Sequence, residues 1–112
     1  MALRVRLLRN GRCAIAGHHA FAGGHAAERY EYALLFALIE GAGAPILVDT
    51  GLDAVEEMNC GAAHVLAEPI VQSPEESADA QLARCGLRGE DIGAVILTHL
   101  HFDHVDRLHR YP

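Results

Sequence analysis

Apolar and polar positions along the chain fall into a few patterned stretches separated by glycine, proline and short polar clusters. Leu3 to Leu8 (LRVRLL) alternates in part, and Asn10-Gly11 is a strong two-residue turn signal before Arg12 to Ala16, so the chain is expected to open with a β-hairpin. Gly17 to Arg29 is small, Gly-containing and rich in His, which reads as a loop. Tyr30 to Glu40, with Ala33 to Ile39 (ALLFALI) at its centre, is an apolar segment that Gly41 to Pro45 turns into Ile46-Leu47-Val48-Asp49, a second hairpin. Asp53 to Gln72 has no clean period beyond a helical turn at Ala54 to Met58, and it is expected on the surface. Ser73-Pro74-Glu75-Glu76 has Ser as N-cap, Pro at the first helical position and Glu at the third, with both acids at the positive end of the helix dipole. A helix is expected to begin there, with Ala78, Leu82 and Cys85 on one face and Gly86 as its stop. Ile92 to Leu97 (IGAVIL) is uniformly apolar, as a strand buried on both faces would be. Strand pairs, a helix and a buried strand predict an α/β layered arrangement in one domain over residues 1–112.

Composition narrows the class. An apolar fraction of 51% with 21% charge is that of a globular chain that can bury a core, and a net charge of −6 without a basic stripe argues against nucleic acid as a partner. Ala33 to Ile39 is far too short to span a bilayer, and the basic-apolar start MALRVRLLRNGR never reaches the apolar core of a signal peptide. No membrane association is expected. Cys13, Cys60 and Cys85 are odd in number and form no Cys-x-x-Cys, so a disulfide framework is not expected and a cytoplasmic setting is.

The chemistry gathers in Thr98 to His104 (THLHFDH), directly after the last apolar strand, where side chains of an α/β sheet converge beyond the strand ends. His99, His101 and Asp103 alternate to one side of an extended segment, and a bend releases His104. Imidazoles with a carboxylate are donors typical of catalytic zinc or iron, and a catalytic ion usually takes three protein ligands and a water. One ion could use three of these four residues, and two ions would need donors from elsewhere.

His99-Leu100-His101-Phe102-Asp103-His104 resembles the signature of the metallo-β-lactamase-fold hydrolases, and Ile46-Leu47-Val48-Asp49-Thr50-Gly51 resembles the strand-end Asp motif that precedes it there. Within that superfamily Gly11-Arg12-Cys13, Ala44 to Gly51 and Thr98 to His104 are most similar to the N-acyl homoserine lactonases, enzymes of quorum quenching. The resemblance implies a four-layer αββα sandwich, of which this chain would be the N-terminal half: a mixed sheet with a flanking helix. It also implies two divalent ions, zinc first with iron or manganese as alternatives. His99 and His101 would bind one ion and Asp103 and His104 the other, with Asp49 holding the motif loop by hydrogen bonds. The implied reaction is metal-assisted hydrolysis of a small-molecule lactone or other ester, in which a metal-held hydroxide attacks the carbonyl and Asp103 passes a proton to the leaving oxygen.

The pattern also has departures. The family's third His for each ion and its bridging Asp lie later in a longer chain, so a C-terminal half in cis or trans, or a second copy in a homodimer, would have to complete the site, and the isolated chain is expected to be inactive. His109 is a conceivable substitute ligand whose plainer reading is a solvent-facing side chain. Asp106-Arg107 stand where the family places two small residues, implying a different pocket shape. His18, His19 and His25 read as a solvated loop that could border a substrate entrance, His64 has no role, and Cys60 and Cys85 are expected to be small buried or half-buried thiols. Two rival readings stand beside the hydrolase: a non-catalytic truncated metal-binding or interaction module, and a homodimeric aspartic protease built on Asp49-Thr50-Gly51.

Overall fold

The computed structural model describes residues 2–112. Five strands form one mixed sheet in the order β4-β1-β2-β3-β5, where β1 is Arg4–Ala16, β2 Arg29–Glu40, β3 Ile46–Val48, β4 Leu66–Val71 and β5 Ala94–Ile96. All neighbours are antiparallel except β3 and β5, which run parallel because a helical crossover separates them. Four short helices, α1 (Gly17–Ala20), α2 (Val55–Gly61), α3 (Ala78–Arg84) and α4 (Phe102–Val105), complete the chain. Among the described residues no helix is long and apolar enough to cross a membrane.

The expected N-terminal hairpin does not form. β1 passes straight through Asn10-Gly11, and its pairing with β2 slips there from Arg9↔Leu35 to Gly11↔Leu34, so the dipeptide makes a bulge rather than a turn. Asn10 is buried, and its side chain accepts from Leu52 N (2.5 Å) and donates to Glu76 O (3.0 Å). Gly11 lets β4 come close, because a Cβ there would sit 2.9 Å from Val71 O. These long-range partners outweigh the local turn preference. The hairpin that does form joins β1 to β2 through the His-rich loop, and the expected hairpin from β2 to β3 is present.

Two clusters cover one face of the sheet. Phe36, Leu38 and Leu47 pack against Ala78 and Leu82 of α3 and against Ile92 and Tyr111, while Cys13 and Leu34 pack with Leu52 and Ile70, with Val55 and Met58 of α2 against them. The opposite face carries rows that run straight across four strands, Leu7–Ala37–Val48–Ile96 and Val5–Ile39–Ile46–Ala94. These rows are apolar too, yet Val5, Leu7 and Ile96 are exposed. β5 is therefore not the strand buried on both faces that its composition suggests: it is a sheet edge, with Val95 half-buried toward α3 and its neighbours open.

Two other expectations are corrected in detail. Residues 53–72 are not merely surface chain, since α2 and the edge strand β4 lie there; Pro69 in β4 is tolerated as an edge-strand proline. The helix signalled by Ser73 begins as a 3₁₀ turn over Pro74–Glu76, and α3 starts afresh at Ala78 with Ser77 accepting from Ala80 N (3.2 Å). Gly86 ends it as expected, at φ 75°.

The predicted cap chemistry is nonetheless in place. Glu76 accepts from Ser73 N (3.0 Å) and from Arg9 Nε (2.9 Å), and the Ser73 bond leads in holding its carboxyl below the usual range despite the opposing effect of burial. A depressed carboxyl stabilises the fold above its unfolded pKa of about 4.3, and that contribution is lost as pH falls through its lower folded value. Glu76→Gln is expected to lower stability by about 1 kcal/mol at neutral pH. In urea melts the deficit should shrink to nothing below the carboxylate range, and an equal deficit at both pH values would refute the charge-based account.

Candidate metal centre

The sharpest backbone feature lies at the end of β3. Asp49 has φ 63°, the only positive φ at a non-glycine position among the described residues. That left-handed conformation costs a β-carbon residue roughly 1–3 kcal/mol and persists where surrounding bonds enforce it. Its own N–H donates to Ile96 O (2.7 Å), locking the end of β3 to β5, and Thr50 N donates to His104 O (3.0 Å).

The buried Asp49 carboxylate is the hub of the motif. Oδ1 accepts from Thr98 N (2.8 Å), and Oδ2 accepts from the Thr98 hydroxyl (2.7 Å) and from His104 Nδ1 (2.7 Å). Burial alone would raise its pKa, but the Thr98 bonds and His104 bring it below the ordinary carboxylate range. It is a buried acceptor with three of its roughly four lone-pair sites taken. That arrangement argues against the aspartic-protease reading, since such an Asp has to face a second Asp, whereas both oxygens here face Thr98 and His104.

These bonds fix ring tautomers. The Thr98 hydroxyl spends its one proton on Asp49, so it can only accept from His99 Nδ1 at 2.8 Å. His104 likewise donates Nδ1–H to Asp49. In their neutral form both rings would carry the proton on Nδ1 and leave the Nε2 lone pair for a metal, and ligand histidines are commonly set this way by a carboxylate behind them. His104 Nε2 lies 3.2 Å from Asp103 Oδ2, and the His99 ring centroid is 4.6 Å from that of His101 and 4.0 Å from that of His104.

The sequence-marked residues are thus brought together. One donor atom each from Asp49, His99 and His104 also fall within 4.8 Å of one another. We place Asp49 behind the donors rather than among them, because all its bonds hold Thr98 and His104. The donor chemistry of His99, His101, Asp103 and His104 fits a divalent metal ion. His109 is exposed in the turn Leu108–Arg110 and lines no part of the cavity beside the motif.

That cavity, about 580 Å³, has His99, His101, Asp103 and His104 at one end. Its walls are apolar: Ile15, Leu34, Met58, Leu66 and Ile70 come from the sheet and from α2 and β4. His19 also lines it, so one member of the His-rich loop does border this space, whereas His18 stacks on His19 at 4.0 Å without reaching it. Cys13 is a site neighbour that sequence reasoning does not find, since nothing in its local sequence signals the cavity. Burial, with a lesser contribution from Asp103, raises its pKa, so it stays a thiol at neutral pH.

Asp106 and Arg107, the departures from the expected small residues, prove to be braces. The cap position of α2 is Ala54, which has no polar side chain, and Asp106 Oδ2 takes over by accepting from Asp53 N (2.8 Å) and Ala54 N (2.9 Å). Arg107 is buried, with its guanidinium on Asp53 (2.5 Å), Asp79 (2.6 Å) and the Tyr111 hydroxyl (3.3 Å), and its N–H donates to Thr50 Oγ1 (3.1 Å). Burial opposes its charge, yet the Asp53 bond and the remaining contacts raise its pKa above the usual value.

A family model described as the metallo-beta-lactamase superfamily matches residues 33–105. Among solved structures, an N-acyl homoserine lactone hydrolase with the product N-hexanoyl-L-homoserine bound at its catalytic metal center superposes with a TM-score of 0.79 at 23% identity, over 99% of this chain and 46% of that one. AiiA of B. thuringiensis with N-decanoyl-L-homoserine at its active site gives 0.81 at 22%, over 99% and 46%. AidC, a dizinc quorum-quenching lactonase, gives 0.59 at 20%, over 92% and 35%. At these identities the likeness is one of fold, and the chain spans under half the length of the structures it matches.

Two outcomes follow from the site. Asp49→Asn keeps a residue that tolerates the left-handed backbone but can no longer accept at both oxygens, and it is expected to weaken zinc binding 10- to 100-fold by calorimetric titration. Wild-type affinity in that variant would show that Asp49 does not position the ligands. Arg107→Ala strands Asp53 and Asp79 and opens a void; a loss of about 3 kcal/mol is expected, the low end for a buried pair because both carboxylates reach solvent. A urea midpoint unchanged from the parent would show the brace to be dispensable.

Proposed function

The chain belongs to the metallo-beta-lactamase superfamily, and from that membership we propose that it contributes the metal-holding residues of a hydrolase acting on a lactone or other ester, in the manner of the N-acyl homoserine lactonases. The observation that carries this reading is the pair of imidazoles, His99 and His104, whose tautomers Thr98 and Asp49 set for ligation. In this reading His99 and His101 serve one divalent ion and Asp103 and His104 a second, zinc in the first instance. When bound, such ions supply Lewis acidity and a water of lowered pKa. In this reading the donor sets are completed from beyond these residues, in cis or in trans.

The chain's own side chains account for the rest. The apolar walls of the cavity receive the acyl part of the substrate and keep bulk water from the reacting carbonyl. Asp103, half-buried at the polar end, takes the proton released by the attacking water and delivers it to the ring oxygen as the ester C–O bond breaks. Burial pushes the Cys13 thiol up, which disfavours it as a nucleophile.

Zinc titrated into metal-stripped protein is expected to bind, with His101→Ala and Asp103→Ala each lowering the stoichiometry or the affinity. Hydrolysis of an N-acyl homoserine lactone, where measurable, should stop on chelation and return with zinc. Absence of zinc binding sinks the metal centre. Binding that survives both substitutions sinks the residue assignment, and chelator-insensitive hydrolysis sinks the mechanism.

A further inference from the structure

A second group of imidazoles gathers at the rim of the cavity, away from the motif. His18 and His19 lie in α1, and His64 lies in the turn between α2 and β4. Distant in sequence, their rings are neighbours in space. The His18 and His19 centroids are 4.0 Å apart with a tilt of 44°, and those of His19 and His64 are 6.4 Å apart, edge to face. His99 and His104 of the motif show the same 4.0 Å separation at a tilt of 48°.

The backbone holds the two segments side by side. Ala16 N, at the end of β1, donates to Val65 O in the turn after His64 (3.4 Å). The loop carrying His18 and His19 is closed on itself: Gly17 N donates to Glu28 O (2.7 Å), and Gly24 approaches Gly17 so closely that a Cβ there would clash with the Gly17 carbonyl. The Tyr32 hydroxyl donates to Ala20 O (3.4 Å) and fixes the end of α1. The glycines and histidines of this loop thus make a platform. The three imidazoles on it and beside it are exposed, so their rings turn about χ1 and χ2 without disturbing the packing.

A lone exposed histidine needs no ligand, but three that converge from two pinned segments offer a set of neutral imidazoles, the commonest metal donors. We propose that His18, His19 and His64 form a second metal site that takes one divalent transition ion, with His19, the neighbour of both others, as the central donor. Bonds of about 2 Å from ring nitrogen to the ion would draw His64 toward His19. An all-imidazole set suits copper, nickel and zinc, and Cu(II) stands at the top of the divalent series. The net charge of −6 also favours a cation over an anion here. The site is separate from the motif: β1 runs from Cys13, near enough to Asp103 to feel its charge, to Ala16 before α1, about 10 Å at roughly 3.3 Å per residue. His19 and Ala20 line the cavity, as do Ala62 and Val65 on either side of His64. A bound ion would therefore tie α1 to the α2–β4 turn and clamp this side of the rim.

The proposal does not rest on ions at the motif, and its test lets the two centres fail separately. In metal-stripped protein titrated with Cu(II), the paired change His19→Ala/His64→Ala is expected to lower the capacity by one ion per chain. The same loss should appear whether the motif is intact or carries His101→Ala and Asp103→Ala. His64→Ala alone should weaken this ion's binding roughly tenfold or more, since losing a donor costs at least as much as losing the group behind one. His25→Ala, at an exposed position in the same loop outside the cluster, should leave capacity and affinity unchanged. Far-ultraviolet circular dichroism of each variant should match that of the parent. Zinc titrations of the motif are then read in the His19→Ala/His64→Ala protein, where this site is absent. An unchanged capacity in the paired variant overturns the proposal, and so does a loss seen only when the motif is intact. An equal loss in His25→Ala would mark scattered binding to surface histidines and overturns it as well.

Discussion

The Asp49 carboxylate ties the site to the fold. Its bonds reach the backbone N–H and hydroxyl of Thr98 at the end of β5 and the ring of His104 in α4, so a single side chain holds the end of β3, the end of β5 and the motif helix in register. The left-handed backbone at Asp49 is part of the same device. Turning the chain sharply after Val48 lets the carboxylate point across at Thr98 while its own N–H still reaches Ile96 O. A neutral or longer side chain would lose either the geometry or the charge that sets both imidazole tautomers. The strain is offset by the bonds it makes possible, as is usual where backbone strain collects at functional sites.

Behind this hub stands a second tier built from residues that depart from the family's pattern. Asp106 caps α2 from across the chain, and Arg107 ties the segment after α4 to Asp53 and Asp79. α2 is one wall of the cavity through Met58, next to Ala62 at its end, and α4 carries Asp103 and His104, so these braces set the distance between the apolar wall and the polar end. The space is closed by ion pairs, and the pocket's outline follows from side chains that lie next to the motif without touching the cavity.

What the sequence revealed and what it hid divide along the range of the interactions. The motif, its strand-end position, the supporting Asp49 and the β2–β3 hairpin were legible because each depends on a few neighbouring residues. The capping chemistry of Ser73 and Glu76 was legible for the same reason, although the helix it announced breaks and restarts at Ser77. Asn10-Gly11 misled because its fate is decided by Leu52 and Glu76, which are 42 and 66 residues away. β4 was hidden because its residues show no alternation: it is a short, proline-bearing edge whose pairing with β1 slips twice. Cys13 and His19 joined the cavity through the β1–β2 geometry, which no local pattern encodes.

The open edge at β5 is the most informative of these differences. ALLFALI and IGAVIL are apolar at every position, and a chain that keeps both faces of β2 and β5 apolar carries a pattern suited to cover on both sides. The described residues cover one: Phe36, Leu38, Leu47 and Val95 belong to the cluster around α3, while the alternate positions Leu35, Val48 and Ile96 lie on the bare face. Water on an apolar sheet face is a standing cost at roughly 25 cal/mol per Å², and polar substitutions there would have relieved it without disturbing the helices opposite. Continuous apolar runs therefore report the environment in which a sheet works. In this chain they suit a second layer against the bare face, as the four-layer sandwich of its family has.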